Sequence, residues 1–264
     1  MCRWAAYVGE PIFLEEIVSR PGHSLIHQSH GATQGHTAIN ADGFGIAWYG
    51  EKEEPGIFRD VLPAWSDPNL KSLTALVKSH LFMAHVRAST GTATSRNNCH
   101  PFAWKNWTFM HNGQVGGYEH FRREADMLIP DALYPWRRGA TDSEALFLIA
   151  VSEGLETDPL GAMERASARL ITLARQKGAH PHLRMTAALS DGKRLFAVRY
   201  SSDERTPSLY HRWSETRLGR AVVSEPLEDM QVGWEEVPPN SFCVFEGNQV
   251  ERFDFYPCRL ASAA

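Results

Sequence analysis

Two consecutive helical stretches in the middle of the chain, with short strands on either side, set the strongest limit on its fold. Thr141-Asp142-Ser143-Glu144 precedes an apolar run in the pattern of a capping box, predicting a helix to about Gly154. A second helix, roughly Pro159 to Lys177, follows closely. Before them, Leu81 to Arg87 and Trp107 to His111 alternate as strands. After them, residues 183–190, 194–200, 208–212, 218–224, 241–246 and 249–255 are short strands separated by turn signals such as Asp191-Gly192 and Gly247-Asn248. Strands, two helices, then strands again predict one α+β domain over residues 2–264, with helices packed on sheets.

The N-terminal third is less regular. Residues 3–9 read as a buried strand closed by Pro11, and Ile12 to Val18 as one or two helical turns. His23 to Asn40 shows little periodicity and reads as a long loop, of the kind that more often binds than spaces. Asp42 to Tyr49 reads as a strand opening on a glycine-rich turn. No helix pattern follows its Gly-x-Gly, which argues against a dinucleotide site. Asp67 to Ser79 has helical spacing behind an Asp67 N-cap with Pro68 at the first helical position.

Composition excludes several classes of function. The 264 residues carry a net charge of −4 with histidine neutral, and no basic stripe that would follow a nucleic acid. The longest apolar stretch, Ala145 to Val151, is far too short to cross a bilayer. No secretory signal is visible, and the four cysteines (Cys2, Cys99, Cys243 and Cys258) then point to free thiols in a reducing cytoplasm. No CxxC occurs, and Cys99-His100 and His180-Pro181-His182 are poorly spaced for structural zinc. No residue set calls for a metal or an organic cofactor.

Cys2 stands directly after the initiator methionine, which is normally removed ahead of a small residue. A chain that started at Cys2 would carry a thiol and a free α-amine on one residue. The amine titrates near ~7.7–8.0 and is a usable base for the proton of the thiol. Four further segments carry chemistry. Arg87, at the end of a strand, offers a planar fork for a carboxylate, or is simply a surface arginine. Asn98-Cys99-His100-Pro101-Phe102 is a polar turn running into an apolar piece. Asn112-Gly113 is either a turn after a strand or a side-chain amide and backbone N–H suited to an oxyanion. Asp142 caps a helix, and at a helix start it can also hold an ammonium group. Together these residues describe a ligand with both amino-acid termini free and a side-chain acyl group. Arg87 would take the carboxylate and Asp142 the ammonium. Cys2 would attack the carbonyl, with the oxyanion at Asn112 and Gly113. Glutamine or a γ-glutamyl compound fits that description.

The chain resembles the class II glutamine amidotransferases, members of the N-terminal nucleophile (Ntn) hydrolases. The resemblance rests on Met1-Cys2-Arg3, Asn40-Ala41-Asp42-Gly43-Phe44-Gly45-Ile46, His85-Val86-Arg87-Ala88-Ser89-Thr90-Gly91, Asn98-Cys99-His100-Pro101-Phe102, His111-Asn112-Gly113 and Thr141-Asp142-Ser143-Glu144-Ala145, all in the family's order. Ser224-Glu225-Pro226-Leu227 followed by Trp234 is similar to the later part of stand-alone members, so the likeness spans most of residues 1–250. It implies a four-layer αββα sandwich of two antiparallel sheets. It also implies Cys2 as nucleophile with its own amine as base, and Thr90 and His100 in substrate-lining motifs. Some members carry Trp directly after the motif arginine; Ala88 stands there instead, which implies a more open pocket.

Larger members fuse this domain to a synthase that consumes the ammonia, and 264 residues leave no room for one. Three readings follow. The chain is a glutaminase whose ammonia goes to a separate synthase subunit, or a stand-alone hydrolase of another γ-glutamyl compound, or a non-catalytic binding module on the same scaffold. The segment Gly116 to Arg138, with Tyr118, Tyr134, Trp136 and an arginine pair, either shapes the pocket mouth or is a packed surface loop, and packing is the preferred reading. Cys99 reads as reachable by oxidants, and Cys243 as core.

Overall fold

A computed structural model describes residues 2–34, 39–89, 91–228 and 232–257. The chain begins with β1 (Arg3–Phe13), α1 (Glu15–Val18), α2 (Leu25–His30), β2 (Phe44–Trp48), β3 (Gly56–Asp60), α3 (Pro68–Leu76) and β4 (Lys78–Val86). Next come β5 (Phe102–Trp104), β6 (Trp107–Val115), α4 (Arg122–Asp126), α5 (Asp142–Ser152) and α6 (Pro159–Gln176). It ends with β7 (Leu183–Ser190), β8 (Leu195–Ser201), β9 (Tyr210–Ser214), β10 (Gly219–Val223), β11 (Glu235–Glu236), β12 (Ser241–Glu246) and β13 (Gln249–Asp254).

These strands form two antiparallel sheets, one in the order β11-β9-β10-β1-β4-β2-β3 and the other β13-β12-β8-β7-β6-β5. Strand alternation sorts their side chains into layers. In β1, Ala5 and Tyr7 face α1 to α3, whereas Trp4 and Ala6 face the second sheet. In β4, Phe82 and Ala84 point outward and Leu81 and Met83 inward. Met110, Ala188, Ala197 and Cys243 meet them from the second sheet. Phe109, Met185 and Val198 point the other way, onto α5 and α6. Three buried apolar clusters thus separate four layers, and the expected αββα sandwich is the observed one.

Helix α5 is buried on every side, from Ser143 through Val151, because it lies between the second sheet and α6. Helix α6 is amphipathic and buries Ala162, Met163, Ala166, Leu170, Ile171 and Ala174. Both helices start where capping chemistry places them: Thr141 Oγ1 accepts from Glu144 N–H at 3.2 Å, and Asp158 accepts from Gly161 N–H at 3.0 Å. Asp67 caps α3 in the expected way, accepting from Asn69 and Leu70.

Three local expectations are corrected. Pro11 does not close β1; the register shifts between Val8 and Ile12, and the strand resumes through Pro11 to Phe13. A bulge absorbs the missing donor of the proline. The stretch His23 to Asn40 is not all loop, since Ser24 accepts from His27 N–H and caps α2. Asn112-Gly113 is not a turn: β6 continues to Val115, with Asn112 opposite Thr186 and Gly113 opposite Met185.

Candidate active site

The ladder between β1 and β4 pairs Arg3 with Val86 and Trp4 with His85, so one further step sets Cys2 beside Arg87. Two-residue alternation puts Cys2 on the inner face with Trp4. Its half-buried Sγ lies 3.4 Å from Ala88 N and 3.5 Å from Ala88 O. Burial pushes this thiol up; the Ala88 backbone contact and the charges of Arg87 and Arg3 pull the other way without overcoming it.

Arg87 is 3% exposed and is not the surface residue of the plainer reading. Its guanidinium donates to Asp42 O at 3.3 Å, Ser89 Oγ at 3.1 Å and Thr92 Oγ1 at 2.7 Å. All are neutral acceptors, and no ion pair forms at Arg87 among the described residues. A buried cation without an anion is costly, and a ligand carboxylate would offset that cost. Asp42 supports the bend from below, its Oδ2 accepting from Ser89 N–H at 2.7 Å.

Asp142 sits in the first turn of α5, where the helix dipole favours an anion. Its Oδ2 accepts from Val115 N–H at 2.7 Å and its Oδ1 from Ser143 N–H at 2.8 Å, which ties the helix start to the end of β6. Ser143 Oγ bridges onward to His111 Nδ1 at 2.8 Å. His111 is fully enclosed; burial lowers its pKa despite the opposing charge of Asp142.

Gly113 has a φ of +153°, and a Cβ there would stand 1.9 Å from the Arg184 carbonyl oxygen. Asn112 points to the inner face, two residues on from Met110, and both polar atoms of its carboxamide are buried without partners. His100 stacks on His85 with centroids 4.3 Å apart, and all four ring nitrogens of the pair are unpartnered. Burial holds both rings neutral, His85 down to about 3 and His100 well below the ordinary range.

One cavity of about 640 Å³ brings Cys2, Arg87, His100, Gly113 and Asp142 together. Asn112 is not among the residues of its wall. Thr90 falls outside the described residues. Ser89, Thr92, His111 and Ser143 also line the cavity without having been singled out. The signal for His111 and Ser143 was present, since both flank motif residues. The segment expected to be mere packing contributes Gly116, Gly117, Tyr118, Glu119 and Arg122 to the wall, while Tyr134 and Trp136 are partly exposed. Cys99 is wholly buried and raised to about 11 by burial, so it is not open to oxidants. Cys243 is core as expected; Cys258 lies outside the described residues.

Comparison with known proteins now decides the family. The sequence profile of the class II glutamine amidotransferases matches residues 22–237. The chain belongs to that family. A probable glutamine amidotransferase of Saccharomyces cerevisiae is 32% identical over 91% of this chain and 80% of its own length. A gamma-glutamyl-hercynylcysteine sulfoxide hydrolase of Mycolicibacterium smegmatis is 28% identical over 90% of this chain and 92% of its own. Among solved structures, a glutamine aminotransferase class-II domain protein from Silicibacter pomeroyi superposes with a TM-score of 0.79 at 47% identity, over 97% of this chain and all of that one. The phosphoribosylpyrophosphate amidotransferase of Bacillus subtilis shares the fold, with a TM-score of 0.62 at 13% identity over 97% of this chain and 49% of its own. This class II amidotransferase is therefore an enzyme of the Ntn type, built for γ-glutamyl amide chemistry. No helix among its described residues is long and apolar enough to cross a membrane.

Proposed function

We propose that the chain hydrolyses the γ-amide of glutamine through a γ-glutamyl thioester on Cys2, releasing ammonia and then glutamate. One observation carries this reading: a single cavity joins the Cys2 thiol to a buried, ion-unpaired Arg87 and to Asp142 at a helix start. Arg87 takes the α-carboxylate through its fork, and Asp142 takes the α-ammonium. By their motifs, Thr90 and His100 are assigned to substrate binding, and His100 lines the cavity. The residue-2 amine, free once Met1 is removed, accepts the thiol proton and the Cys2 sulfur attacks the γ-carbonyl. The oxyanion forms against Gly113 N–H and the Asn112 carboxamide, whose two unpartnered polar atoms suit a group waiting for a ligand. The C–N bond breaks as the ammonium returns its proton to the leaving amine. Water, deprotonated by the same amine, then cleaves the thioester.

A second reading has its own support. A cavity of about 640 Å³ lies well within the range that accepts drug-sized ligands. Ala88 beside the thiol and the wall built from Gly116 to Arg122 leave room for a leaving group larger than ammonia. On this reading the substrate is a γ-glutamyl peptide or metabolite amide. In the first, the ammonia passes in the cytoplasm to a separate synthase subunit.

Purified protein incubated with glutamine, glutathione and other γ-glutamyl amides, with glutamate release followed, separates them. Faster turnover of glutamine supports the glutaminase; preference for the bulky amides supports the hydrolase. Turnover of none, with Met1 absent by intact mass, returns the chain to a binding role. Cys2→Ala should abolish release, and activity in that variant overturns the nucleophile assignment; active protein that keeps Met1 overturns the free amine as base.

A further inference from the structure

The motif Ser224-Glu225 contributes nothing to the wall of the cavity, and its side chains instead reach the two residues that follow the nucleophile. The β1–β10 ladder ends at Ala5 opposite Val223. Beyond it Ser224 continues the pairing with both backbone and side chain: Ser224 N–H donates to Trp4 O at 3.0 Å, and Ser224 Oγ accepts from Trp4 N–H at 2.9 Å. Glu225, 1% exposed, then turns inward to meet Arg3, also 1% exposed. Arg3 Nε donates to Glu225 Oε2 at 2.7 Å, and its Nη1 donates to the carbonyl oxygen of Cys2 at 3.0 Å.

The carboxylate is held just as firmly on its other side. Its Oε1 lies 2.6 Å from His23 Nε2 and accepts from Thr33 N–H and Oγ1 at 2.8 and 2.5 Å; its Oε2 accepts from Gln34 N–H at 3.1 Å. Burial alone would raise this carboxyl, but Thr33, His23 and Arg3 together hold it below the usual carboxylate range. A fully buried ion pair is a poor way to gain stability, because desolvation consumes most of the Coulombic gain. Its geometry has a more specific consequence. A planar guanidinium fixed by Glu225 through one nitrogen presents another at a set position, and there it grips the peptide of residue 2.

We infer that the Arg3–Glu225 pair is a positioning device for the nucleophile, clamping the Cys2 carbonyl so that its thiol and amine hold their attack geometry. This rests on the assignment of Cys2 as nucleophile. Arg3 and Glu225 touch no substrate and line no part of the catalytic cavity. They restrain rotation about the residue-2 backbone, while the Ala88 backbone contacts the sulfur. A small displacement of a reacting group can cost on the order of 10²-fold in rate while leaving the binding of substrate untouched.

The test compares Glu225→Gln, Arg3→Lys and Cys2→Ala in the full-length protein, with Met1 removal checked by mass and activity normalised to folded protein below each melting transition. Glu225→Gln keeps the size of the side chain and removes its charge. Arg3→Lys keeps the buried cation but lacks the fork that spans Glu225 and Cys2 together, so it tests the bridge even where Glu225→Gln fails to fold. Both should lower kcat about 10- to 100-fold with KM within about threefold of wild type. Wild-type kcat in Arg3→Lys, or a loss expressed only as a lower melting temperature or a raised KM, overturns the inference. An active Cys2→Ala protein overturns the nucleophile assignment instead. An inactive Cys2→Ala beside a fully active Arg3→Lys removes the positioning device alone.

Discussion

At the scale of single residues, Gly113 shows how a motif that looks like a turn serves a sheet. Asn-Gly pairs commonly mark turns because glycine accepts a positive φ. Here the positive φ lies inside β6, where the strand passes so close to Arg184 that no Cβ fits. Gly113→Ala has to push β6 from β7 at the point where the oxyanion donor is assigned. The variant should lose most of its glutamate release and unfold at lower urea than wild type, and both are measured on one preparation. Arg87 makes a complementary point. Its neighbours are all neutral acceptors, and only the fold reveals that it is buried. Arg87→Lys keeps the charge and loses the fork, so KM should rise more than kcat falls in steady-state assays.

At the scale of elements, the start of α5 joins stability to the site. Thr141 caps the helix, Asp142 ties it to β6, and Glu144 accepts from Arg137, Arg138 and Gly139 in the segment leading into the helix. The sequence pattern predicted a reciprocal capping box, but Glu144 turns to that preceding segment, because buried Arg137 needs a partner there. Thr141→Ala should cost about 1 kcal/mol by chemical denaturation, the usual worth of an N-cap. Because Asp142 keeps its own bonds to Val115 and Ser143, KM should change little in the same variant. Most elements were legible for a simple reason: β4, β6, β7, β8 and β12 alternate, and α6 repeats at helical spacing. β3, β5, β11, α2 and α4 were not. β3 is a half-exposed strand at the sheet's edge, and the other four have between two and six residues.

At the scale of the whole molecule, three buried histidines make the sandwich sensitive to acid. His85 is held neutral to about 3, by burial above all, with the Arg87 and His111 charges also opposing protonation. In the unfolded chain it takes up a proton near ~6.5. Between those values the unfolded state binds more protons, so stability is complete above about 6.5 and falls as pH drops toward 3. His100 and His111 act in the same direction. Urea midpoints should therefore decrease steadily from pH 7 to pH 4.5, and His85→Phe should flatten that slope. An unchanged slope would remove His85 from the account.

The amino-acid order by itself determined the class of fold and named the candidates for the site. Periodicity separates strands from helices locally, and Cys2, Arg87, Asn112 and Asp142 bear chemistry that belongs together whatever their spacing. What it could not determine was which side chains are enclosed. Burial depends on partners that the fold brings in: Arg87 loses its water to Asp42 and Thr92, and Glu225 reaches Arg3 across 222 positions. Only the closing of two sheets upon each other brings the end of one ladder against the start of another. That closure encloses the cavity around Cys2 and sets an ion pair behind it.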